Sequence, residues 1–288
     1  CHRRWLAGNV CDRAAGAVLA AILAAFVVVV PFWEPGNTGL ATENYNVAFW
    51  DHESKISFVY EQYGALAHSL LNGRLDLMQD PPEELLALDN PYDSTAREAA
   101  QVNSLWDHAY YNGRYYVYFG IVPCLLFQLP FEAVTGIQNL AYPPCMIVMG
   151  LLFLLAGFGA VHQVVRRWFS QASARPECPM KGNKKLASLA AGLILAAIVL
   201  GSQLYYLFVR PYIYEYAIVC GTSLLMLALW FWLSAANTAV EHRGALLAKL
   251  ALGSLCMALV AGCRPQMELF AVLALPIFWQ RYIAQKRL

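Results

Sequence analysis

Charged side chains are scarce in this sequence: they make up 14% of its 288 residues, whereas soluble domains carry about 25%. Hydrophobic residues reach 59%, above the roughly 45–50% of a soluble domain. The composition therefore excludes an ordinary soluble domain and favours a membrane protein. The net charge of +1 also excludes a nucleic-acid-binding protein that depends on a strongly basic surface.

Closely spaced cysteines are missing as well. The chain contains eight cysteines, but none of them form a C-x-x-C pair and none lie between residues 12 and 123. A disulfide-stabilised scaffold or a thiolate zinc site is therefore not expected. The sequence opens on Cys1 rather than Met, and we expect it to be a piece of a longer protein.

The small net charge conceals a strong segregation of charge along the chain. Residues 34–114 contain 13 of the 19 acidic residues and four of the 20 basic ones. The rest of the chain is correspondingly basic. This separation predicts that the acidic segment and the basic loops lie on opposite sides of a membrane.

Long uncharged stretches predict six membrane-spanning helices. Residues 14–33 form a run of 20, which crosses the roughly 30 Å hydrocarbon layer at about 1.5 Å per residue. The alternative is a cleavable signal peptide, but its apolar region would be shorter and would end at small residues. Further apolar stretches predict spans at 141–165, 186–209, 216–235, 245–262 and 267–280, the last being short enough to require tilt or a thinned bilayer.

Basic residues orient these spans, because they remain on the cytoplasmic side of short loops. A cytoplasmic N-terminus leaves 34–140 outside and places the basic loop 166–185 inside, provided that 117–136 does not cross. That stretch is interrupted by prolines and polar residues, so we expect a helix that lies on or dips into the outer face. The chain is predicted to be an integral, multi-pass plasma membrane protein with an extracytoplasmic first large loop.

This arrangement of spans divides the chain into three parts. Residues 1–33 are the cytoplasmic N-terminus and first transmembrane helix, 34–140 are an extracytoplasmic subdomain with juxtamembrane helices, and 141–288 are a transmembrane helix bundle that we expect to be truncated. Within the subdomain, helical spacing predicts an amphipathic helix over Ile56–Leu71 that stops at Asn72-Gly73. Asn112-Gly113, between two aromatic runs, predicts a β-hairpin.

Several strings in the chain are similar to a known class of enzymes. LAHSLLNGRLDL, LDNPYDSTAR, LWDHAYYNGRYYVYFGIVPCLLFQLP and GCRPQ, together with the long acidic first loop and short outer turns, resemble a poorly characterised bacterial branch of the GT-C integral-membrane glycosyltransferases. The resemblance implies an all-α transmembrane bundle of about six spanning helices with a first-loop subdomain. It also implies transfer of a sugar from a polyprenyl-phosphate donor to a glycan, lipid or protein acceptor.

Site residues follow partly from that resemblance. It implies a first-loop carboxylate that acts as general base or binds a divalent metal ion, which makes Asp107, Asp51 and Glu61 the catalytic candidates. Asp107 stands out because aromatic residues and His108 surround it just before the hairpin. The alternatives are solvated carboxylates on a wet loop and, for Asp107, a structural cap or a partner for Arg114.

Cationic residues on outer turns are the phosphate-binding candidates that the resemblance implies. They are Arg210, with Tyr214 and Glu215 beside it, and Arg264 in the next outer turn. An arginine fork suits a lipid phosphate, and Glu215 is a potential metal ligand. The alternative is interfacial anchoring, in which tyrosines form an aromatic belt and the arginines reach lipid headgroups.

Three functions remain open from the sequence. The first is the lipid-linked glycosyltransferase. The second is a secondary transporter, which usually shows internal repeats and ionisable groups near the membrane midplane; no repeat is visible in this chain. The third is a non-catalytic cell-envelope protein that shares the fold, because fold alone does not determine chemistry.

Overall fold

The computed structural model describes residues 62–102, 104–105, 107–138, 140–173, 184–209 and 212–286, with Ala21 and two short strands before them. The predicted first span, 14–33, lies outside the described residues apart from Ala21. In chain order the elements are β1 (Phe49–Trp50), β2 (Ser57–Phe58), α1 (Gln62–Leu71), α2 (Glu83–Leu86), α3 (Ser94–Ala99), β3 (Ala109–Tyr111), β4 (Arg114–Tyr116), a π-helix (Cys124–Gln128), α4 (Leu129–Thr135), α5 (Tyr142–Ser173), α6 (Lys184–Gly201), α7 (Leu204–Val209), α8 (Ile213–Ala236), α9 (Arg243–Ala261), a 3-10 helix (Pro265–Leu273) and α10 (Ala274–Lys286).

The first subdomain helix begins later than predicted and ends where predicted. Ser57–Phe58 pair with Phe49–Trp50 in an antiparallel ladder, so α1 starts at Gln62 rather than Ile56. Its end has the two hydrogen bonds of a Schellman motif: Arg74 N–H to Ser69 O at 2.9 Å and Gly73 N–H to Leu70 O at 3.0 Å. Gly73 has φ +71°, which glycine adopts without strain.

The predicted β-hairpin is confirmed. β3 and β4 pair in register from Ala109 opposite Tyr116 to Tyr111 opposite Arg114. Asn112 and Gly113 both have positive φ, at 48° and 71°, as the tightest hairpin turn requires. Tyr115 is 2% exposed, and its carbonyl accepts a 2.8 Å hydrogen bond from Leu77 N–H. The hairpin is thereby attached to the segment that follows α1.

Four helices in the described residues are long and apolar enough to cross a membrane: Tyr142–Trp168, Leu189–Phe208, Ile213–Ala236 and Arg243–Ala261. They correspond to four of the predicted spans. The second is broken at Ser202 and Gln203, where Gln203 has φ +54°. The predicted last span is the shorter apolar helix Pro265–Trp279, which begins as a 3-10 helix. A 3-10 helix rises about 2.0 Å per residue, so this stretch reaches about 27 Å instead of about 22 Å.

Contacts within the bundle define the direction of each helix relative to its neighbours. Ser223 Oγ donates to Met149 O at 2.8 Å and Asn237 Nδ2 donates to Gln163 O at 3.1 Å, so α5 and α8 share a constant offset of 74 residues and run parallel. The α9 helix runs antiparallel to α8, because Lys249 Nζ donates to Thr238 Oγ1 at 2.9 Å while Cys263 lies against Gly221.

One end of the bundle therefore gathers the start of α5, the start of α8 and the end of α9. The acidic subdomain packs against this end, where the rings of Tyr63 and Tyr142 stand 6.1 Å apart and those of Tyr142 and Tyr216 stack at 4.8 Å. Basic residues of α5, α6 and α9 gather toward the opposite end: Arg166, Arg167, Lys184, Lys185, Arg243 and Lys249.

The stretch after the hairpin buries polar side chains and exposes apolar ones. In the π-helix and α4, Gln128 and Glu132 are buried at 1% and 7% exposure, whereas Leu125 and Val134 are exposed at 45% and 85%. A helix in water normally buries its apolar face. The helix Cys124–Thr135 is shorter than the four candidate spans, and its position on the outer face stays a prediction.

Candidate functional site

The candidate site lies at the bundle end that contacts the subdomain. Val122 N–H donates to Gly262 O at 2.9 Å. A Cβ on Gly120 would stand 2.0 Å from that same carbonyl, so only glycine permits this approach. The chain after the hairpin is thus pressed onto the turn that follows α9. Residues 118 and 119, which precede this contact, come to lie between the hairpin and the starts of α8 and the 3-10 helix.

Asp107 is held at this point by tyrosine hydroxyls from two other segments. Tyr214 Oη donates to Asp107 Oδ2 at 2.5 Å, and Tyr118 Oη stands 3.5 Å from Oδ1. The two tyrosine oxygens are themselves 3.2 Å apart. Asp107 also has φ +59°, a left-handed conformation that aspartate tolerates better than most residues. The carboxylate therefore has a defined position at the boundary between subdomain and bundle.

Arg264 contacts the same tyrosine. Its Nη2 donates to Tyr214 O at 3.1 Å, and its guanidinium carbon lies 5.2 Å from the Phe119 ring centre and 5.4 Å from that of Tyr214. These distances are in the range of cation–π contacts. Arg264 takes part in none of the ion pairs among the described residues, and its buried Nε has no hydrogen-bond partner there. The guanidinium is held in place, yet no carboxylate of the described residues forms an ion pair with it.

Glu215 adds a second carboxylate in the first turn of α8. A helix N-terminus favours negative charge. The Oε2 atom of Glu215 is buried and has no hydrogen-bond partner among the described residues. The sequence candidates Asp107, Tyr214, Glu215 and Arg264 thus occupy one end of the bundle, and the first, second and fourth are linked directly through Tyr214.

The remaining candidates, Asp51, Glu61 and Arg210, lie outside the described residues. A divalent metal ion gains no support from the side chains that are described, because no three of their His, Cys, Asp and Glu residues form a group that could hold one.

The suggested structural role of Asp107 as a partner of Arg114 is wrong. Arg114 Nη1 lies 3.3 Å from Asp76 Oδ2, and Arg74 Nη2 donates to the same oxygen at 2.5 Å. The hydrogen bond from Arg74 holds the pKa of Asp76 below its ordinary value. Asp76 is 5% exposed. This cluster fastens the hairpin to the end of α1 and leaves Asp107 free to bond with tyrosines.

Sequence reasoning missed Tyr118 and Phe119, which complete the surroundings of Asp107 and Arg264. The aromatic run Tyr115–Phe119 was visible, but the packing of Phe119 against Tyr214 at 4.9 Å between ring centres depends on tertiary structure. No family model, curated protein or solved structure matches the chain.

Proposed function

We propose that this chain is a membrane-embedded glycosyltransferase that moves a sugar from a polyprenyl-phosphate donor to an acceptor at the outer face of the membrane. The observation that carries the proposal is the meeting of Asp107 and Arg264 on Tyr214, at one end of a bundle of apolar helices. A carboxylate and an unpaired guanidinium are the two groups that such a transfer requires.

The charge distribution supports the outer face as the location of this site. The basic residues of α5, α6 and α9 lie toward the end away from the subdomain, and basic loops favour the cytoplasm. The end with Asp107 and Arg264 would then face outward. A donor lipid would enter from the bilayer beside α9, because Leu247, Leu252 and Leu255 on that helix are exposed.

The proposed reaction assigns one role to each charged group. Arg264 binds the donor phosphate and stabilises the negative charge that forms on its oxygen as the bond from that oxygen to the anomeric carbon breaks. The acceptor hydroxyl oxygen forms the new bond to that carbon, and its proton passes to Asp107. The 3.5 Å contact with Tyr118 is the weaker of the two at Asp107, so this is the contact that an acceptor hydroxyl would replace.

The test is a transfer assay on the full chain in lipid nanodiscs, with radiolabelled polyprenyl-phosphate sugar and membrane acceptors. We expect Asp107→Asn to reduce transfer by about 10²–10⁴-fold and Arg264→Ala by about 10²–10³-fold. Matched controls are Asp89→Asn, on an exposed residue of the subdomain, and Arg166→Ala, toward the far end of the bundle. Both controls should retain transfer.

Full transfer in both site variants would remove Asp107 and Arg264 from the reaction. An absence of transfer by the parent chain with every donor and acceptor tried, combined with ion-gradient-dependent solute uptake into proteoliposomes, would replace the transferase with a transporter. Donor lipid that binds without being consumed would instead identify a non-catalytic lipid-binding protein.

A further inference from the structure

His68 and Glu132 form a second polar constellation, on the side of the subdomain formed by α1 and α4. His68 Nδ1 lies 2.7 Å from Glu132 Oε1 and 2.9 Å from Gln138 Nε2. Glu132 is 7% exposed and its Oε2 is buried with no partner among the described residues. A buried carboxylate is costly unless a partner satisfies it, and His68 is its only ion-pair partner in the described part of the chain.

The short distance to Glu132 fixes where His68 carries a proton. Two electron-rich atoms 2.7 Å apart need a hydrogen between them, and Nδ1 supplies it when the glutamate is ionised. The Gln138 amide then turns its oxygen toward the ring, since amide orientation is assigned from the hydrogen-bond network. The ring is thus held through Nδ1, while Nε2 makes no hydrogen bond among the described residues.

Besides these polar partners and Asn72, whose side-chain amide donates to His68 O at 2.8 Å, His68 has exposed apolar neighbours. The histidine side chain is 36% exposed. Leu71, one helical turn later on α1, is 44% exposed, and Ile137, next to Gln138, is 50% exposed. Residues three apart on a helix are neighbours on its surface. A single polar ring edge is therefore flanked by exposed hydrocarbon.

We propose that His68 Nε2 and the flanking Leu71 and Ile137 bind an amphiphile whose headgroup carries a hydroxyl. A hydroxyl fits this nitrogen in either protonation state, because it donates to neutral imidazole and accepts from imidazolium. The alkyl chain of the amphiphile covers Leu71 and Ile137, which are 44% and 50% exposed. Glu132 is a positioning residue, since it acts on the ligand only through His68. This site is independent of Asp107 and of the proposed glycosyl transfer.

The experiment measures protection of His68 from diethyl pyrocarbonate, which acylates accessible imidazole nitrogens. The full chain is held in amphipol, and decyl maltoside is titrated below its critical micelle concentration, with peptide mass spectrometry as the readout. His242 is exposed and lies at the far end of the bundle, so it is the internal reference. We expect decyl maltoside to slow acylation of His68 in a saturable way and to leave that of His242 unchanged.

A phosphocholine amphiphile with the same decyl chain supplies a matched ligand without a hydroxyl. Weaker protection by decylphosphocholine supports the proposal, and equal protection by both amphiphiles overturns it, because the chain or the phosphate would then be what binds. Absence of saturable protection by decyl maltoside also overturns it.

A variant of the protein tests the apolar part of the site with little risk to folding. Leu71→Ser replaces an exposed side chain, and we expect it to raise the decyl maltoside concentration for half-protection by about tenfold. Leu86→Ser, a control on an equally exposed leucine of α2 at 51%, should not change it. An unchanged half-protection concentration in Leu71→Ser would contradict the assignment of the alkyl chain to this surface.

Discussion

Tyr214 Oη and Asp107 Oδ2 are joined by a hydrogen bond of 2.5 Å across 107 residues of sequence. This bond connects the first turn of α8 to the residue that precedes the hairpin. A hydrogen bond to an ionised group is roughly twice as strong as a neutral one, and Tyr118 makes a longer contact of 3.5 Å to the same carboxylate. The two tyrosines therefore differ in what they contribute.

Removal of each hydroxyl in turn measures that difference. We expect Tyr214→Phe to lower the free energy of unfolding by about 1.5–3 kcal/mol, the range for hydrogen bonds to charged groups, and Tyr118→Phe by less than about 1 kcal/mol. Denaturant unfolding in matched micelles is the measurement. Equal losses from the two variants would mean that the shorter contact has no special strength.

The approach of Gly120 to Gly262 gives a prediction about packing. Alanine at 120 would bring its Cβ within 2.0 Å of Gly262 O, so the two segments must separate. We expect Gly120→Ala to cost about 1–3 kcal/mol, as overpacking usually does. The control is Gly201→Ala, where an added Cβ meets nothing within 4 Å. A shift in thermal unfolding of similar size in both variants would contradict this account.

The Asp76 cluster predicts a pH dependence of stability. Arg74 lowers the pKa of Asp76 in the folded state, so the stability gained from its ionised form is complete above the unfolded value of about 3.9 and is lost as pH falls through the folded pKa. Hydrogen exchange of the β3–β4 hairpin should therefore differ between the parent and Asp76→Asn by a constant amount from pH 7 to about pH 5. The difference should shrink below about pH 4, and a difference that grows there would reverse the sign that we assign.

The exposed apolar face of α4 predicts contact with lipid acyl chains. A photoreactive benzoyl-phenylalanine at Val134, which is 85% exposed, should crosslink to lipid in nanodiscs. The same group at Glu84, an exposed residue of α2, should react mainly with solvent or protein. Mass spectrometry of the adducts distinguishes them, and lipid adducts of equal yield at both positions would argue against a specific membrane-facing surface.

The orientation of the bundle in the membrane can be tested by labelling its two ends. A cysteine at Asn112, in the exposed hairpin turn, should react with a membrane-impermeant maleimide added to intact cells. A cysteine at Arg243, where α9 begins at the opposite end of the bundle, should react only after the cells are opened. The reverse pattern would place Asp107 and Arg264 in the cytoplasm and would end the proposal of chemistry at the outer face.

Local signals in the sequence predicted local structure well. The Asn112-Gly113 turn and the Gly73 helix end were predictable because both require positive φ within two or three residues. Apolar length sufficed for the four long helices. The break at Ser202 and Gln203 was not predicted. Gly201-Ser202 is the kind of pair at which helices kink, but it does not by itself specify φ of +54° at Gln203.

The candidate site was predictable only as separate pieces. Asp107, Tyr214 and Arg264 could each be selected from charge or position, but their meeting depends on the parallel course of α5 and α8 and on the glycine contact at Gly120. The pairing of Arg114 with Asp76 instead of Asp107 shows the same limit. Asp107 is the carboxylate nearest to Arg114 along the chain, but the position of the α1 end brings Asp76 to the arginine instead.

The parallel course of α5 and α8 also bears on how many times the chain crosses the membrane. Two neighbouring helices that point the same way require the chain between them to return once, and α9 runs back again. We therefore expect the stretch from Tyr142 to Ala261 to cross the membrane an even number of times, with both of its ends in one compartment. A reporter fused just before Tyr142 and one fused just after Ala261 must therefore report the same compartment, whichever side of the membrane that is.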